Sequence, residues 1–239
     1  GRLDEAKVSC IKAIALKPDL ATAHSNLGNT LKELGRLNEA KASCSKAIAL
    51  KPNFAEAHNN LGNTLKELGR LNDAEASYIR ALMLKPSFAE AYSNLGNTLQ
   101  ELGKLEKAKV SYSHAIKLQP EFAQAHYNLG ALFFENNKFN LAAQEFELCG
   151  TPMSKRYSLK CSYLQDEETI FFDKFNLLIK QDQPNAVVGS IGLCSELKYG
   201  IKIPNPFCND PLDYVVHTDL NKVCDFENIF IKTARDILT

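Results

Sequence analysis

A strict period of 34 residues is the feature that most constrains how this chain can fold. Asparagine recurs at positions 26, 60, 94 and 128, and proline at positions 18, 52, 86 and 120. Segments 21–54 and 55–88 are identical at 24 of 34 positions. A period of this length is typical of stacked helix–turn–helix units, which bury their apolar faces only against their neighbours. The sequence therefore predicts an all-α solenoid that offers a long groove to another protein, rather than an enclosed pocket to a substrate.

Each repeat contains two apolar stripes with helical spacing. In the unit that starts at residue 55, the first stripe runs from His58 to Leu65 at spacings of three and four residues. A second helical pattern follows Gly69 and ends before Pro86, because proline cannot continue the helical hydrogen bonds. Small residues such as Gly62 lie on the inner face, where closely crossing helices leave no room for a side chain.

These positions resemble the tetratricopeptide repeat (TPR), whose pattern has a large residue, Leu-Gly, a second large residue, alanine, an aromatic residue, alanine and proline. The matching residues are His24, His58, Tyr92 and His126; Leu27-Gly28, Leu61-Gly62, Leu95-Gly96 and Leu129-Gly130; Leu31, Leu65, Leu99 and Phe133; Ala40, Ala74, Ala108 and Ala142; Cys44, Tyr78, Tyr112 and Phe146; Ala47, Ala81, Ala115 and Cys149. The resemblance implies a right-handed TPR superhelix over 1–152, formed by the second half of one repeat and four further repeats. Cys10 and Cys44 depart from the pattern where it has an aromatic residue.

Polar side chains recur on the face opposite the apolar stripe of the first helix. At 100° per residue, placing Leu61 and Leu65 inward turns Asn60, Asn63 and Glu67 outward. An amide side chain both donates and accepts hydrogen bonds, so a row of amides suits the main chain of an extended polypeptide. The predicted groove residues are Asn26, Asn29, Asn60, Asn63, Asn94, Asn97, Asn128, Glu67, Glu101, Lys32 and Lys66.

Three interpretations of these rows are open. The repeats resemble those that precede the catalytic half of O-GlcNAc transferases, which implies that the asparagine ladder holds a peptide main chain. Alternatively, the asparagines bond between repeats and hold the superhelix in register. The carboxylate clamp of chaperone adaptors is disfavoured, because Ser25, Asn59 and Ser93 stand where that mode has a basic residue, and because the glutamate row would repel an acidic tail.

Histidines invite a metal-site interpretation, which the repeat pattern argues against. His24, His58 and His126 occupy equivalent positions, where the third repeat has Tyr92. Since tyrosine replaces histidine there, the position requires bulk rather than a metal ligand.

Composition limits the classes of partner. Lys+Arg and Asp+Glu each number 28, and no basic cluster is visible, which argues against nucleic acid. The 7 cysteines form no CxxC pair, so we expect a reducing, cytoplasmic compartment. No apolar stretch approaches the ~18 residues of a membrane span, and no leader is visible at Gly1, so neither membrane insertion nor secretion is expected.

After Pro152 the period fades. The pattern predicts a degenerate helical repeat over 153–199 that caps the solenoid, with helices over 153–165, 167–181 and 186–199.

Two details of this cap are predicted from its residues. Asp166 should cap the N-terminus of the second of these helices. Phe171, Phe175 and Leu178 should be buried against the helix over 139–149, since the end of the solenoid would otherwise expose an apolar face.

From residue 200 the character changes to an irregular extended segment over 200–239 that ends in a helix. It resembles the region that joins TPR repeats to a 2-oxoglutarate/iron(II) oxygenase domain in some bacterial proteins. His217 and Asp219 look like the first two ligands of an iron triad, but no second histidine follows. We therefore predict no metal site, no cofactor and no catalysis in this chain.

The sequence thus predicts a non-catalytic protein–protein interaction module that binds an extended peptide segment. An alternative is the substrate-recruiting N-terminal arm of a larger enzyme, either a glycosyltransferase or a 2-oxoglutarate/iron oxygenase. We expect the chain to be a fragment of a longer protein, because its opening matches the second half of a repeat and its last helical pattern lacks a stop signal. Self-association through the similar repeats is left open.

Overall fold

The computed structural model describes residues 1–181, Ser195 and residues 198–200. Eleven α-helices and no strand occur in these residues, which confirms the predicted all-α class there. The predicted segment 200–239, apart from Gly200, and most of the predicted helix 186–199 lie outside the described residues. The helices are α1 (Arg2–Leu16), α2 (Ala21–Glu33), α3 (Leu37–Leu50), α4 (Ala55–Glu67), α5 (Leu71–Leu84), α6 (Ala89–Glu101), α7 (Leu105–Leu118), α8 (Ala123–Glu135), α9 (Phe139–Cys149), α10 (Pro152–Leu164) and α11 (Glu168–Gln181).

The chain divides into two compact units, Gly1–Asn136 and Asn137–Thr239. The first unit holds α1 to α8, and the described part of the second unit holds α9 to α11. The predicted division after residue 152 marks the end of the sequence repeat and stays a prediction.

Helices in the first unit pack as a solenoid. In the first three full repeats the first helix packs on the second, α2 on α3, α4 on α5 and α6 on α7. Each second helix also packs on the first helix of the next repeat, as α3 does on α4. The first helices contact one another in series, α2 with α4, α4 with α6 and α6 with α8. The 34-residue period is therefore a helix–turn–helix solenoid, and equivalent residues of successive first helices lie in rows.

Proline and glycine set where these helices end. Each second helix stops two residues before a proline of the period, as α3 stops at Leu50 before Pro52. The turn after each first helix needs a left-handed residue, which glycine adopts without steric cost. Gly35, Gly69 and Gly103 have φ of +73°, +74° and +72° there.

A glycine on the first helix accepts a large side chain from the second. A Cβ atom on Gly62 would lie 2.6 Å from Cε1 of Tyr78, and one on Gly96 would lie 2.5 Å from Cε1 of Tyr112. Both tyrosines are fully buried. The predicted packing role of these glycines is confirmed, and Cys44 occupies the tyrosine position in the first full repeat.

The repeated histidines form hydrogen bonds with the turn that precedes their helix. The Nε2 atoms of His24 and His58 lie 3.0 Å from the carbonyl oxygens of Pro18 and Pro52, and the fourth repeat has the same contact at 2.8 Å. Bulk alone therefore does not explain these residues. Each imidazole also hydrogen-bonds a turn carbonyl, and the constant spacing of six residues to proline is the sequence signal for this contact.

In the second unit α10 lies against both α9 and α11. Thr151 caps α10 by accepting a hydrogen bond from the backbone N–H of Ser154, with Pro152 as its first residue. Phe171, Phe175 and Leu178 are buried, as predicted. Their partner was predicted wrongly, because they cluster with Leu159, Tyr163, Phe172 and Tyr199 rather than with apolar residues of α9.

The predicted N-cap role of Asp166 is wrong. Asp166 has φ of +59° and follows α10 as a left-handed residue, while α11 begins at Glu168. The N–H of Glu167 bonds the carbonyl of Ser162 at 3.2 Å, which closes the C-terminus of α10 in the manner that glycine usually provides. The short aspartate side chain tolerates this conformation, and its carboxylate pairs with Lys198.

Hydrogen bonds and an ion pair among Glu147, Ser158 and Lys174, which we call the polar tie, join α9, α10 and α11 in the described part of the second unit. The fully buried Ser158 accepts a hydrogen bond from Nζ of Lys174 at 2.6 Å and donates one to Glu147 at 2.6 Å. Lys174 and Glu147 are also ion-paired at 3.1 Å. Although serine beside lysine can suggest a nucleophile, here both side chains are engaged in holding α9, α10 and α11 together.

Candidate functional site: the amide rows

The predicted groove residues lie on the first helices of the repeats and form two rows. We call Asn26, Asn60, Asn94 and Asn128 the first amide row, and Asn29, Asn63 and Asn97 the second amide row. Asn26 and Asn29 are exposed, and the other five are half-buried. The hydrogen bonds of each half-buried amide decide which of its ends, if either, remains open to a ligand.

Three members of the first row donate hydrogen bonds to the preceding repeat, and two of them reach a buried residue just before its own first-row position. Nδ2 of Asn60 donates to Oγ of Ser25 at 3.1 Å, and Nδ2 of Asn94 donates to Oδ1 of Asn59 at 3.2 Å. The acceptors are buried, with Ser25 1% and Asn59 2% exposed. These are contacts that the register interpretation requires. The repeat pattern did not predict Ser25 and Asn59 as these partners, because it marks them only as positions without a basic residue.

The register contacts leave the other end of each amide unused. In the part of the chain that the structure describes, Oδ1 of Asn60 and of Asn94 has no hydrogen-bond partner. Register and ligand contact therefore do not exclude each other, because one amide has two ends.

Asn128 differs from the other members of its row. Its Nδ2 donates to Oδ1 of Asn97 at 2.8 Å, and its Oδ1 accepts from Nε2 of Gln124 at 2.8 Å. Both ends of its amide are thus bonded within the protein. The same helix has Ala131 where the second amide row would continue.

Buried tyrosines hold the second amide row. The hydroxyl of Tyr78 donates to Oδ1 of Asn63 at 2.7 Å, and that of Tyr112 donates to Oδ1 of Asn97 at 2.7 Å. Burial raises the pKa of both phenols, so they remain protonated donors at any physiological pH. The tyrosine at the aromatic position of the repeat pattern therefore orients the second-row amide as well as filling the core. The constant spacing of 15 residues from asparagine to tyrosine is the sequence signal for this contact.

Side chains of the groove pair with one another across repeats. The inter-repeat pairs are Lys32–Glu67 at 3.5 Å, Lys66–Glu101 at 2.9 Å and Gln100–Glu135 at 2.9 Å. Lys32 also contacts the neighbouring Glu33 at 2.7 Å. The third pair has a neutral amide in place of lysine. Glutamates outnumber lysines along this face, so its net charge is negative.

The described residues offer neither a metal site nor a membrane span. No group of three or more His, Cys, Asp or Glu side chains that could hold a metal ion occurs among the residues described. Within the same described range, none of the helices is long and apolar enough to cross a membrane. His217 and Asp219 lie outside the described residues.

Comparison with known proteins agrees with this architecture. The family model described as "TPR repeat" matches residues 28–69, 62–103 and 96–137. No curated protein sequence gives a significant match.

Several solved structures are similar to this chain. MamA is 26% identical with a TM-score of 0.55, over 62% of this chain and 86% of MamA. PilF of Pseudomonas aeruginosa is 20% identical with a TM-score of 0.66, over 81% of this chain and 90% of PilF. YrrB, described as a TPR protein with an unusual peptide-binding site, is 18% identical with a TM-score of 0.59, over 76% of this chain and 96% of YrrB. The likeness to PilF and YrrB shows the fold alone. The resemblances to O-GlcNAc transferases and to oxygenase linkers stay predictions.

Proposed function

Residues 28–137 of this chain are tetratricopeptide repeats, and we propose that the chain is an interaction module that binds an extended segment of another protein along its two amide rows. The observation that carries the proposal is that Asn60, Asn63, Asn94 and Asn97 each keep one end of the amide unbonded within the described residues. Since every peptide unit has an N–H and a C=O group, such amides bind a main chain whatever its sequence. YrrB, which has a peptide-binding site, shares the fold.

Charge selects among extended segments. The glutamates of the face exceed its lysines, and both Lys32 and Lys66 are paired with glutamates of the next repeat. An acidic ligand would therefore be repelled, and a neutral or basic segment is favoured. Because the chain's own charges balance at 28 each, we propose a protein partner rather than nucleic acid.

We also assign this binding role to a reducing compartment such as the cytoplasm. The four cysteines among the described residues are free thiols, and three of them are buried. Binding, rather than catalysis, is the activity we propose.

Selection of random dodecapeptides displayed on phage tests the proposal. We expect the chain to enrich peptides that are poor in Asp and Glu, and one enriched peptide is then synthesised and titrated by calorimetry. The variant Asn60→Ala/Asn94→Ala should weaken its binding by about 1 kcal/mol for each lost hydrogen bond.

The matched control is Asn38→Ala/Asn72→Ala, which removes two exposed amides from the second helices α3 and α5. This control should bind as tightly as the wild type. If no peptide is enriched, or if Asn60→Ala/Asn94→Ala binds like the control, the groove proposal is wrong and the asparagines serve only the register of the repeats.

A further inference from the structure

We infer that the two amide rows have opposite hydrogen-bonding polarity, so that the first row accepts from the ligand's main chain and the second row donates to it. The inference rests on the proposed function and specifies which atoms of the ligand are read. It is carried by α4 and α6, where Asn60 and Asn63 lie on one helix and Asn94 and Asn97 on the next.

In the first row the nitrogen end is already used. Asn60 donates through Nδ2 to Ser25, and Asn94 donates through Nδ2 to Asn59, in both cases across the boundary between repeats. An amide whose NH2 group is held by the protein presents its oxygen outward. The first row therefore offers two acceptors, Oδ1 of Asn60 and Oδ1 of Asn94.

In the second row the oxygen end is used instead. Oδ1 of Asn63 accepts from Tyr78, and Oδ1 of Asn97 accepts from Tyr112 and also from Nδ2 of Asn128 at 2.8 Å. The tyrosine rings are fully buried and fixed by the glycines opposite them. Nδ2 of each asparagine has no partner among the described residues and remains a donor.

Each of the two helices thus presents one acceptor and one donor, three residues apart on one face. Side chains at this spacing are neighbours, with Cβ atoms about 5–6 Å apart. Neighbouring helices pack about 8–10 Å apart, and an extended chain in the polyproline II conformation advances about 3.1 Å per residue with three residues per turn. One repeat therefore spans about three ligand residues and reads one N–H and one C=O group among them. The ligand class is therefore an extended segment with an N–H group at every third residue. Proline is excluded at those positions because it has no backbone N–H.

Among the helices that the structure describes, only α4 and α6 present this pair of one acceptor and one donor. In the first full repeat Cys44 replaces the tyrosine, so no phenol fixes the exposed Asn29. In the fourth repeat both ends of Asn128 are bonded and Ala131 replaces the second-row amide.

Two aspartate variants separate the rows. Asn→Asp removes a donor, keeps the acceptors and adds the same charge wherever it is placed. Asn63→Asp/Asn97→Asp still accepts the tyrosine hydroxyls but offers the ligand no donor. Asn60→Asp/Asn94→Asp keeps carboxylate oxygens at the acceptor positions. The oxygen that replaces Nδ2 can accept from the hydroxyl of Ser25 at one boundary, and from the NH2 group of Asn59, once that amide turns, at the other. Titration of both variants with the synthetic dodecapeptide enriched on the wild type should show about 25-fold weaker binding by the second-row variant than by the first-row variant, about fivefold for each lost hydrogen bond.

The outcomes distinguish this inference from the proposed function. Equal loss of affinity in both variants, or a larger loss in the first-row variant, overturns the opposite polarity but leaves the groove as the binding site. Wild-type affinity in both variants overturns the polarity and the groove together.

A change on the peptide decides the same question should an aspartate variant fail to fold. Replacing single amides of the dodecapeptide by esters removes one N–H at a time. We expect about fivefold weaker binding at sites three residues apart, and no such periodic loss with Asn60→Ala/Asn94→Ala. Loss without the period of three, or loss that persists in that variant, overturns the inference.

Discussion

The two compact units stabilise their helices in different ways. The first unit repeats one small set of contacts, with fully buried alanines such as Ala74 and Ala108 and a glycine that receives a tyrosine ring. The described part of the second unit uses each contact once, in a cluster around Phe171 and in the polar tie at Ser158. Stabilisation is therefore spread over equivalent positions in the first unit and concentrated on a few side chains in the second. The predictions below test this difference.

The largest effect is expected in the second unit. Phe171→Ala removes a fully buried ring that contacts Phe172, Phe175, Tyr163 and Tyr199. Because a cavity remains, the free energy of unfolding measured in urea should fall by about 3–5 kcal/mol.

Leu177→Ala is the control for this change, since Leu177 lies on the same helix but is 51% exposed. It should change the free energy of unfolding by no more than about 0.5 kcal/mol. Similar losses from the two substitutions would show that the cluster is not the core of this unit.

A somewhat smaller effect is expected from overpacking one repeat of the first unit. Gly96→Val places a Cβ within 2.5 Å of the buried Tyr112 ring, which must then move. We expect a loss of about 2–3 kcal/mol in thermal or urea unfolding, because valine brings little gain in helix propensity over glycine.

Ser45→Val, at an exposed position of α3, is the matched control and should be nearly neutral. A Gly96→Val protein as stable as the control would mean that the glycine–tyrosine contact does not constrain the repeat.

Alkaline pH should destabilise both units to a similar extent through buried thiols. Burial raises the pKa of Cys44 and of Cys161 from 9.0 to about 11. The folded state then holds the proton of each thiol more tightly than the unfolded state does. The contribution of each buried thiol to the free energy of unfolding is therefore fully present below pH 9 and is lost as the pH rises towards 11. At a pH of about 10.5 the loss is on the order of 2 kcal/mol for each thiol.

Cys44→Ala and Cys161→Ala isolate these contributions. Relative to the wild type, each variant should lose less stability between pH 9 and pH 10.5 in urea titrations. An unchanged alkaline slope in either variant would show that its thiol titrates at an ordinary pKa.

The smallest effect is expected from the charged pairs between repeats. Lys66→Gln reproduces at one interface the neutral partner that Gln100 provides at the next. Because Lys66 and Glu101 are partly exposed, the loss should not exceed about 0.5 kcal/mol, and it should disappear in about 1 M salt. A loss above about 1 kcal/mol would make these pairs a main source of repeat stability.

Much of the structure of the first unit could be predicted, because residues that make the same packing contact recur every 34 positions in the sequence. The helices, the glycine turns and the burial opposite Gly62 follow from positions that recur every 34 residues. The polarity of the amide rows did not follow, since an asparagine has the same pattern whichever end it presents. That choice is made by Tyr78 and Tyr112, on the second helices, and by Ser25 and Asn59, in the preceding repeats.

In the second unit the pattern predicted two helices and the burial of Phe171, Phe175 and Leu178, because an apolar stripe is a local signal. It did not predict which helix they pack against, because the repeat ends before these residues and no equivalent positions indicate the partner helix. The capping role proposed for Asp166 failed for a related reason. Aspartate suits both an N-cap and a left-handed turn, and the chain uses it for the turn.

The bonds from Asn60 and Asn94 to the repeat before them have a consequence for how such a chain can lengthen. Asn60 brings the donor to one boundary, and Asn59 beside it brings the acceptor to the next. A 34-residue block therefore carries both halves of the joint. In-frame tandem duplication of such a block would create a new boundary that is already complementary, so growth by copying requires no compensating substitution.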